Sequence, residues 1–404
     1  MGTQDRDSDF GTGMEHAGSG RSRVALAERC ETGEMKEEHR NWHPTGPLRD
    51  HPRSILVVMM SAVGDAIQVL PVVSALRRAF PDTHISWVLQ PDPLSLVDGH
   101  PAVNEFVPFE RGARGRGFPS LISGMRGVSS TAKALGQIAA RQPGGAFDLL
   151  LDLQVYFKAG LLTALVPARV KLGFDWRRAR DLNWLFTTHR IPPHPARFGH
   201  IQDQYFEFLR YVGVDPEPLE YGLTLSGEER VSQRRFFKSL GGPACAVVLG
   251  ASDHRKNWTP RGYAEVVSEL RGRFQLNSLL VGGHSVEEER MARAIMALSG
   301  EGVVDARGGG LRRLLWLLDG ASLVISPDTG PLHMARAMGV PVVGLFGLTN
   351  PKRSGPYHRF AELVVDGYAR FPGEAYGVNM DRRPGGMDRI TPGMVLEKVE
   401  MALR

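Results

Sequence analysis

The chain has 404 residues, of which 42% are hydrophobic and 23% charged, and its formal net charge is +5. This composition is typical of a globular protein of two or three domains, and its basic excess is weaker than that of a dedicated nucleic-acid binder. The two cysteines, Cys30 and Cys245, exclude a disulfide scaffold and a four-cysteine zinc site. No apolar run predicts a membrane span, and residues 1–25 lack the apolar core of a secretory signal, so we expect a cytoplasmic protein.

The N-terminal segment differs in composition from the rest of the chain. Residues 1–50 contain 17 charged residues and many glycines and serines, with almost no apolar periodicity. Such a segment buries too little apolar surface to offset the entropy of ordering it. We therefore predict a disordered leader over residues 1–50, which is either a functional tail or the product of a wrong start codon.

The first half of the remaining chain predicts alternating strands and helices. The apolar run Ile55–Met60 is typical of a strand buried on both faces, and helical spacing follows it as far as Phe80. Pro71 is expected near the start of that helix or at a kink. Residues 110–130, rich in Gly, Arg and Ser, are interpreted as a mobile loop, and Phe147–Leu153 as another buried strand.

The second half repeats the alternation, from a strand at Ala244–Leu249 to one at Val342–Phe346. The whole pattern predicts an α/β protein with two Rossmann-like domains that face one cleft. We place the first domain at residues 51–220 and the second at 221–380, with a final helical segment at 381–404.

Ligands of parallel sheets bind beyond the carboxyl ends of the strands, so the residues after each strand are the candidates for chemistry. Ser61, Gly64 and Asp65 follow the first strand. Asp65 is interpreted either as a helix cap, which is a common use of aspartate there, or as a general base that takes a proton from a hydroxyl.

The segment Ser326–His333 carries the strongest signal. Asp328, Thr329 and Gly330 lie between a strand and a helix, and such a helix N-terminus offers free N–H groups to an anion. The cluster predicts phosphate binding, whereas His333 taken alone is better explained as a structural histidine. The spacing matches neither a Walker A loop nor a GxGxxG fingerprint, which argues against an ATPase and a dehydrogenase.

Basic residues near other strand ends add to both halves of the cleft. Three residues follow the strand that begins at Ala244 and either meet phosphate oxygens or form a solvated charged loop: Ser252, Arg255 and Lys256. In the first half, Gln154, Lys158, Arg177 and Arg180 are interpreted either as a cleft for an acidic acceptor or as a solvated surface. The sequence contains no HExxH motif and no paired Cys/His spacing, so it predicts no metal site.

The order of these motifs resembles a known family. The motifs are Ser-Ala-Val-Gly-Asp at 61–65, Asp-x-Gln-x-x-x-Lys at 152–158, Gly-Phe-Asp-Trp-x-x-Ala-Arg at 173–180, Gly-Ala-Ser at 250–252 with Lys-x-Trp at 256–258, and Asp-Thr-Gly-Pro-x-His at 328–333. Over residues 54–404 they resemble the bacterial ADP-heptose:lipopolysaccharide heptosyltransferases, glycosyltransferase family 9, and the 173–180 motif most resembles heptosyltransferase I. Two positions depart from the family pattern, with Met59 in place of a lysine or arginine and His284 in place of a donor-contacting glutamate.

This resemblance implies a GT-B fold whose last helix, capped by Thr391 with Pro392 at its first position, crosses back to the first domain. It implies metal-free transfer of heptose with inversion, from ADP-heptose to a Kdo/lipid A-type acceptor, with contact at the inner face of the inner membrane. The catalytic base would be Asp65, and the donor would bind to Ser252, Lys256, Asp328, Thr329, Gly330 and His333. The acceptor would bind to Ser61, Gly64, Gln154, Lys158, Asp175, Arg177 and Arg180. The alternatives are a family transferase with another donor or acceptor and an inactive module that binds glycolipid.

Overall fold

Two parallel six-stranded sheets organise the chain. The computed structural model describes residues 46–109, 118–192 and 199–404. The strands of the first sheet, in spatial order β3-β2-β1-β4-β5-β6, are β1 Ser54–Val58, β2 His84–Leu89, β3 Glu105–Pro108, β4 Phe147–Asp152, β5 Ala168–Gly173 and β6 His189–Arg190. The helices of this half are α1 Val63–Ala79, α2 Pro91–Val97, α3 Phe118–Arg141, α4 Phe157–Leu165 and α5 Ile201–Tyr211.

The second sheet repeats this topology. Its strands, in spatial order β12-β11-β10-β7-β8-β9, are β7 Ala244–Val248, β8 Asn277–Val281, β9 Val303–Asp305, β10 Leu323–Pro327, β11 Val342–Phe346 and β12 Val364–Asp366. The helices are α6 Gly227–Ser239, α7 Pro260–Phe274, α8 Val286–Ser299, α9 Gly310–Gly320, α10 Gly330–Met338, α11 Pro351–Ser354 and α12 Pro392–Leu403. Both sheets thus have the Rossmann strand order, and the predicted α/β class with two such domains is confirmed.

The strand order reverses at the centre of each sheet. β1 lies between β2 and β4, and β7 lies between β8 and β10. The five residues of β1 are fully buried, as are those of β7, which explains why both read as continuous apolar runs. Reversal points of this kind leave a crevice beyond the carboxyl ends of the strands, so each sheet presents a ligand site there.

Two helix pairs join the domains. α1 of the first domain packs on α10 of the second, and α2 packs on α9. Because α1 follows β1 and α10 follows β10, the α1–α10 contact brings the two reversal points face to face. The single cleft predicted between the domains lies at this junction.

One helix replaces part of a predicted loop. Residues 118–130, predicted as mobile, belong to α3, while residues 110–117 lie outside the described ranges. Val128, Leu135 and Ile138 are buried in the first core at helical spacing. Burial of this face outweighs the poor helix propensity of the glycines and serines around it. The prediction of a loop through residue 130 is therefore wrong.

The structure also tests the predictions for Pro71 and for the N-terminal segment. Pro71 lies in the interior of α1 rather than near its start, and the helix continues through it. Residues 1–45 of the predicted leader lie outside the described ranges. Leu48 belongs to the same predicted segment but is only 6% exposed, so the prediction of a disordered leader is wrong for its last residues.

The final helix, α12, is capped as predicted, because the Thr391 hydroxyl accepts a hydrogen bond from the N–H of Met394 at 3.4 Å. Its buried residues, Val395 and Val399, face the second domain, where the helix packs on α7, β11 and β12. The expectation that α12 crosses back to the first domain is therefore wrong. None of the helices in the described ranges combines the length and the apolar content that a bilayer crossing requires.

Candidate active site

A cleft of about 800 Å³ lies between the two sheets. This volume suits a ligand of nucleotide-sugar size. Its walls combine the loop after β1 and the start of α1 with the loops after β7, β8, β10 and β11. The residues on its walls that the sequence had singled out are Gly64, Asp65, Arg180, Ser252, Lys256, Asp328, Thr329, Gly330 and His333.

Asp65 occupies the third position of α1. Its carboxylate accepts a hydrogen bond from the N–H of Ala62, the residue at the N-cap, at 2.9 Å. The capping interpretation is therefore correct in part, since Asp65 satisfies a free N–H from inside the helix. The side chain also lines the cleft, so the cap does not remove it from the site.

The surroundings of Asp65 suit a base. Burial raises the pKa of its carboxyl, and the hydrogen bond from Ala62 and the charge of Arg353 oppose that rise only in part. A carboxylate with a raised pKa holds a proton more strongly than an exposed one and is a better proton acceptor near neutral pH. The geometry is thus compatible with the second interpretation of Asp65, a general base.

Across the cleft, Asp328 and Lys256 form an ion pair. Nζ of Lys256 lies 2.8 Å from Oδ2 of Asp328, and the Thr349 hydroxyl donates to the same oxygen at 2.6 Å. Burial alone would raise the pKa of Asp328, but the lysine and the hydroxyl outweigh it and the net pKa is lowered. Asp328 therefore remains ionised and fixes the position of Lys256 on the cleft wall.

The N-termini of two helices meet at this point. Thr329 is the N-cap of α10, and its side chain makes no capping hydrogen bond. Gly330 begins the helix, where a Cβ would lie 3.1 Å from Cγ1 of Val63. A Cβ on Gly64 would in turn lie 3.1 Å from Cδ2 of His333. The two glycines allow the starts of α1 and α10 to approach, so that both helix dipoles present their positive ends to one region.

His333 is buried at 8% exposure behind these termini. Burial lowers the pKa of its imidazole to about 4, despite the opposing charge of Asp328, so the ring is neutral at pH 7. Its Nε2 lies 3.2 Å from the side-chain nitrogen of Gln68 on α1. His333 can offer a ligand a hydrogen bond but not a positive charge.

The residues of the first domain that were assigned to an acceptor separate into two groups. Gln154 is buried and donates to the carbonyl oxygen of Ser61 at 2.9 Å, so these residues lie together beside Asp65. Arg180 lines the cleft. Lys158 and Arg177 are exposed outside it, with Lys158 over Gly124 of α3 and Arg177 over the ring of Trp176.

Asp175 is not brought to the cleft. The residue is only 3% exposed. Its carboxylate forms an ion pair with the Arg178 guanidinium at 2.6 Å and accepts a hydrogen bond from the N–H of Arg177 at 2.8 Å. Both carboxylate oxygens are thus used to hold the loop after β5. The expectation that Asp175 binds an acceptor is wrong, because its role is structural.

A second cavity of about 100 Å³ adjoins the cleft. Asp65 lines both spaces, as do Arg180 and Arg353. Sequence reasoning missed Arg353 although β11 was predicted, because the residues after that strand were not considered. Thr349-Asn350-Pro351 is a helix-start signal at a strand end and would have pointed to it.

Glu288 is another residue of the cleft that the sequence did not suggest. It lies at the third position of α8, and its carboxylate accepts from the N–H of Gly283 at 2.7 Å. The carboxylate that lies in the cleft beside the Gly282-Gly283 turn therefore comes from Glu288 on α8, whereas His284 supplies none. Among the described residues, no group of three or more His, Cys, Asp or Glu side chains is arranged to hold a metal ion.

Comparisons with known proteins agree with this arrangement. The family model described as glycosyltransferase family 9 (heptosyltransferase) matches residues 139–372. The lipopolysaccharide core heptosyltransferase OpsX of Haemophilus influenzae is 29% identical over 320 residues, which cover 78% of this chain and 84% of that protein.

Two solved structures are similar over most of their length. A glycosyltransferase family 9 protein of Veillonella parvula gives a TM-score of 0.69 at 22% identity, over 87% of this chain and 97% of that one. The ADP-heptose lps heptosyltransferase II of Escherichia coli gives 0.68 at 21% identity, over 87% and 98%. At this level of identity the likeness supports the two-domain fold.

Proposed function

Because this chain belongs to glycosyltransferase family 9, the heptosyltransferases, we propose that it transfers heptose from ADP-heptose to a Kdo/lipid A-type acceptor, with inversion at the anomeric carbon. The chain is a glycosyltransferase of lipopolysaccharide core biosynthesis. The single observation that supports the finer proposal is the position of Asp65, which lines the same cleft as Thr329 and Gly330 at the N-terminus of α10.

The first step of the proposed mechanism is activation of the acceptor. Asp65 takes the proton of an acceptor hydroxyl, and the oxygen attacks the anomeric carbon of the heptose from the face opposite the diphosphate. The bond from that carbon to the diphosphate oxygen breaks, and its electron pair leaves with ADP. One displacement from the opposite face inverts the configuration. The raised pKa of Asp65 supports this role, since it makes the carboxylate a better proton acceptor.

The second requirement is stabilisation of the departing ADP. Negative charge grows on the diphosphate as the bond breaks, and groups already positioned around it lower the barrier. The N-terminus of α10 with the Thr329 hydroxyl, together with the Lys256 ammonium, supplies these groups in the proposed mechanism. Asp328 positions Lys256 rather than touching the phosphates, since its carboxylate is paired.

The proposed mechanism assigns no step to a metal ion. The leaving-group charge is met by the protein alone, so EDTA is expected to leave the rate unchanged. Activity that is lost in EDTA and restored by Mg²⁺ would overturn this part of the proposal, because the ion would then carry the leaving-group charge.

Contact with the inner face of the inner membrane is the proposed route to the acceptor. Large apolar side chains are exposed on the first domain, in the two segments that contain the cleft residues Tyr156 and Arg180: Tyr156 at 51%, Phe157 at 45%, Trp176 at 63%, Leu182 at 57% and Leu185 at 52%. We call these five residues the apolar rim. The exposed Lys158 and Arg177 lie among them, and basic and aromatic side chains together suit an anionic lipid surface.

Sedimentation with vesicles tests the membrane contact. The protein should bind vesicles that contain anionic lipid more than zwitterionic ones, and Trp176→Ser with Leu182→Ser should remove that binding. Val286, which is 87% exposed on α8 of the second domain, provides the matched control as Val286→Ser. Equal binding by the rim variant and the control would remove the apolar rim from the proposal.

The experiment that tests the function is incubation with ADP-heptose and a panel of Kdo-lipid acceptors, with products identified by mass spectrometry. A mass gain of one heptose on a Kdo-lipid supports the proposal. Transfer only from another nucleotide-sugar would establish a related transferase instead. Acceptor binding with neither transfer nor donor hydrolysis would establish a binding module.

A further inference from the structure

Arg353 has no role in the mechanism described so far, although it borders the cleft close enough for its charge to act on Asp65. It is on α11 of the second domain and lines both the cleft and the adjoining small cavity. Its Nε is buried and has no hydrogen-bond partner among the described residues. A buried donor without a hydrogen-bond partner lowers the stability of the fold by about 1–3 kcal/mol, and by more when the group is charged. A ligand that accepts a hydrogen bond from this nitrogen would remove that cost.

The other cations around the cleft differ from Arg353 in being engaged. Lys256 is paired with Asp328, and Arg382 with Asp253 at 2.9 Å. Arg178, which borders the small cavity, is paired with Asp175 and Glu207. Only Arg180 resembles Arg353, since its Nη2 donates to the weakly accepting sulfur of Met380 at 3.3 Å. Within the described ranges, Arg180 and Arg353 are therefore the cleft guanidinium groups that form no ion pair with a carboxylate, although the charge of Arg353 acts on Asp65.

These two arginines border the same small space. The cavity of about 100 Å³ is lined by Asp65, Gln154, Arg180, Tyr205, Arg353 and Met380, with others. It is too small for a nucleotide but accommodates one carboxylate-sized group. Tyr205 adds a hydroxyl that stays protonated, because burial raises its pKa well above the ordinary value. The polar lining of the cavity thus presents mainly donors, and donors in excess favour an anion.

We infer that Arg353 and Arg180 form a carboxylate-binding subsite that orients the acceptor beside Asp65. This inference rests on the proposed function and names the feature of the acceptor that the site recognises: a sugar acid whose carboxylate is held in the small cavity while a hydroxyl of the same molecule reaches Asp65. Guanidinium groups bind carboxylates through paired, charge-assisted hydrogen bonds, which fix direction as well as position. With the carboxylate held in the small cavity, the sugar ring is directed towards the cleft, where Asp65 reaches its hydroxyl.

The arrangement also couples the two domains to acceptor binding. Arg180 follows β5 in the first domain, and Arg353 follows β11 in the second. An anion bound by both bridges the domains at the point where donor and acceptor must meet. Arg353 is therefore a positioning residue: it belongs to the second domain, which holds the donor, and it orients the acceptor by binding its carboxylate.

The test compares a carboxylate acceptor with its neutral ester. Binding of Kdo-lipid A and of its carboxyl methyl ester is measured in the presence of ADP, for the native chain and for Arg353→Met. Charge-assisted hydrogen bonds contribute about 1.5–3 kcal/mol, so the native chain should bind the ester about 10–150-fold more weakly. Arg353→Met should lose a similar factor for the carboxylate acceptor and little more for the ester.

Two further variants separate charge recognition from structure. Arg353→Lys should recover part of the preference for the carboxylate acceptor, because it restores the charge without the paired geometry. Arg261→Met, which removes an 87% exposed arginine side chain on α7 away from the cleft, should behave as the native chain. The affinity for ADP should be unchanged in all three.

The inference is overturned if the native chain binds the acceptor and its ester equally well. It is also overturned if Arg353→Met weakens both to the same extent, or if its main effect is on ADP affinity. Failure of the proposed function looks different, since a chain that binds the carboxylate acceptor selectively but transfers no heptose retains the subsite and loses the enzyme assignment.

Discussion

The side-chain nitrogen of Gln68 lies 3.2 Å from Nε2 of His333, and this contact joins α1 of the first domain to α10 of the second. A neutral imidazole can accept this hydrogen bond at one ring nitrogen, whereas an imidazolium cannot accept at either. Burial of the ring, which lowers its pKa to about 4, therefore maintains the contact at neutral pH.

This relationship predicts a loss of stability at acidic pH. The unfolded chain binds a proton at this histidine below about pH 6.5, whereas the folded chain does so only below about pH 4. The free energy of unfolding should thus fall as the pH is lowered through this window, by up to about 3 kcal/mol. The stability difference between the native chain and His333→Gln, measured by urea unfolding at several pH values, should shrink from pH 7 to pH 4. A pH-independent difference would show that His333 does not titrate in this window.

Asp65→Asn tests the general base. Asparagine keeps the size of the side chain and an oxygen that can accept the hydrogen bond of Ala62, so α1 should stay capped. Loss of a general base lowers the rate by about 10²–10⁴. We expect kcat to fall by this factor while the melting temperature and the affinity for ADP hardly change. If kcat stays within about twofold, Asp65 is a cap and nothing more.

Lys256→Met tests the donor side of the cleft. Loss of a charge-assisted contact to a phosphate should weaken ADP binding by about one to two decades, as measured by calorimetry. The variant should also lower the melting temperature, because it leaves the Asp328 carboxylate buried without its partner.

A neighbouring arginine gives the control for that experiment. Arg255 is exposed and pairs with Asp253 at 2.7 Å. Arg255→Met should leave ADP affinity as it is in the native chain. An ADP affinity that is the same in Lys256→Met and in the native chain would remove Lys256 from the donor site.

Shortened chains test the N-terminal segment. A chain that starts at residue 46 should melt within a few degrees of the full chain, since the composition of the removed residues favours no packed core. A chain that starts at Pro52 also loses Leu48, which is 6% exposed, and should melt lower. Differential scanning calorimetry of both chains checks this. A large loss for the longer one would show that residues before 46 pack on the folded part.

The strands could be predicted because their residues are buried on both faces and form unbroken apolar runs, as in Ile55–Met60. The helix α3 could not, because Gly124, Gly127 and the serines after them favour a loop locally. Only the face formed by Val128, Leu135 and Ile138, once it is covered by the first core, makes that segment helical.

Some residues of the candidate site could be predicted from the sequence, whereas their pairing across the chain could not. Asp65 and Asp328 were found because they follow strands, and the sheet topology places strand ends together. The pairing of Asp328 with Lys256 joins residues 72 positions apart and no local pattern encodes it. The ion pair of Asp175 with Arg178, in contrast, spans three positions, and that spacing could have suggested a structural role.

The backbones of Gly64 and Gly330 lie in contact where the first and second domains meet. No Cβ separates the starts of α1 and α10, where an added methyl would come within 3.1 Å of His333 or Val63. In the proposed mechanism, the approach of these two backbones sets the distance between the donor side and the acceptor side of the cleft. An alanine at either position should push the two helix starts slightly apart, so we expect it to lower the proposed transfer rate more than the affinity for either substrate.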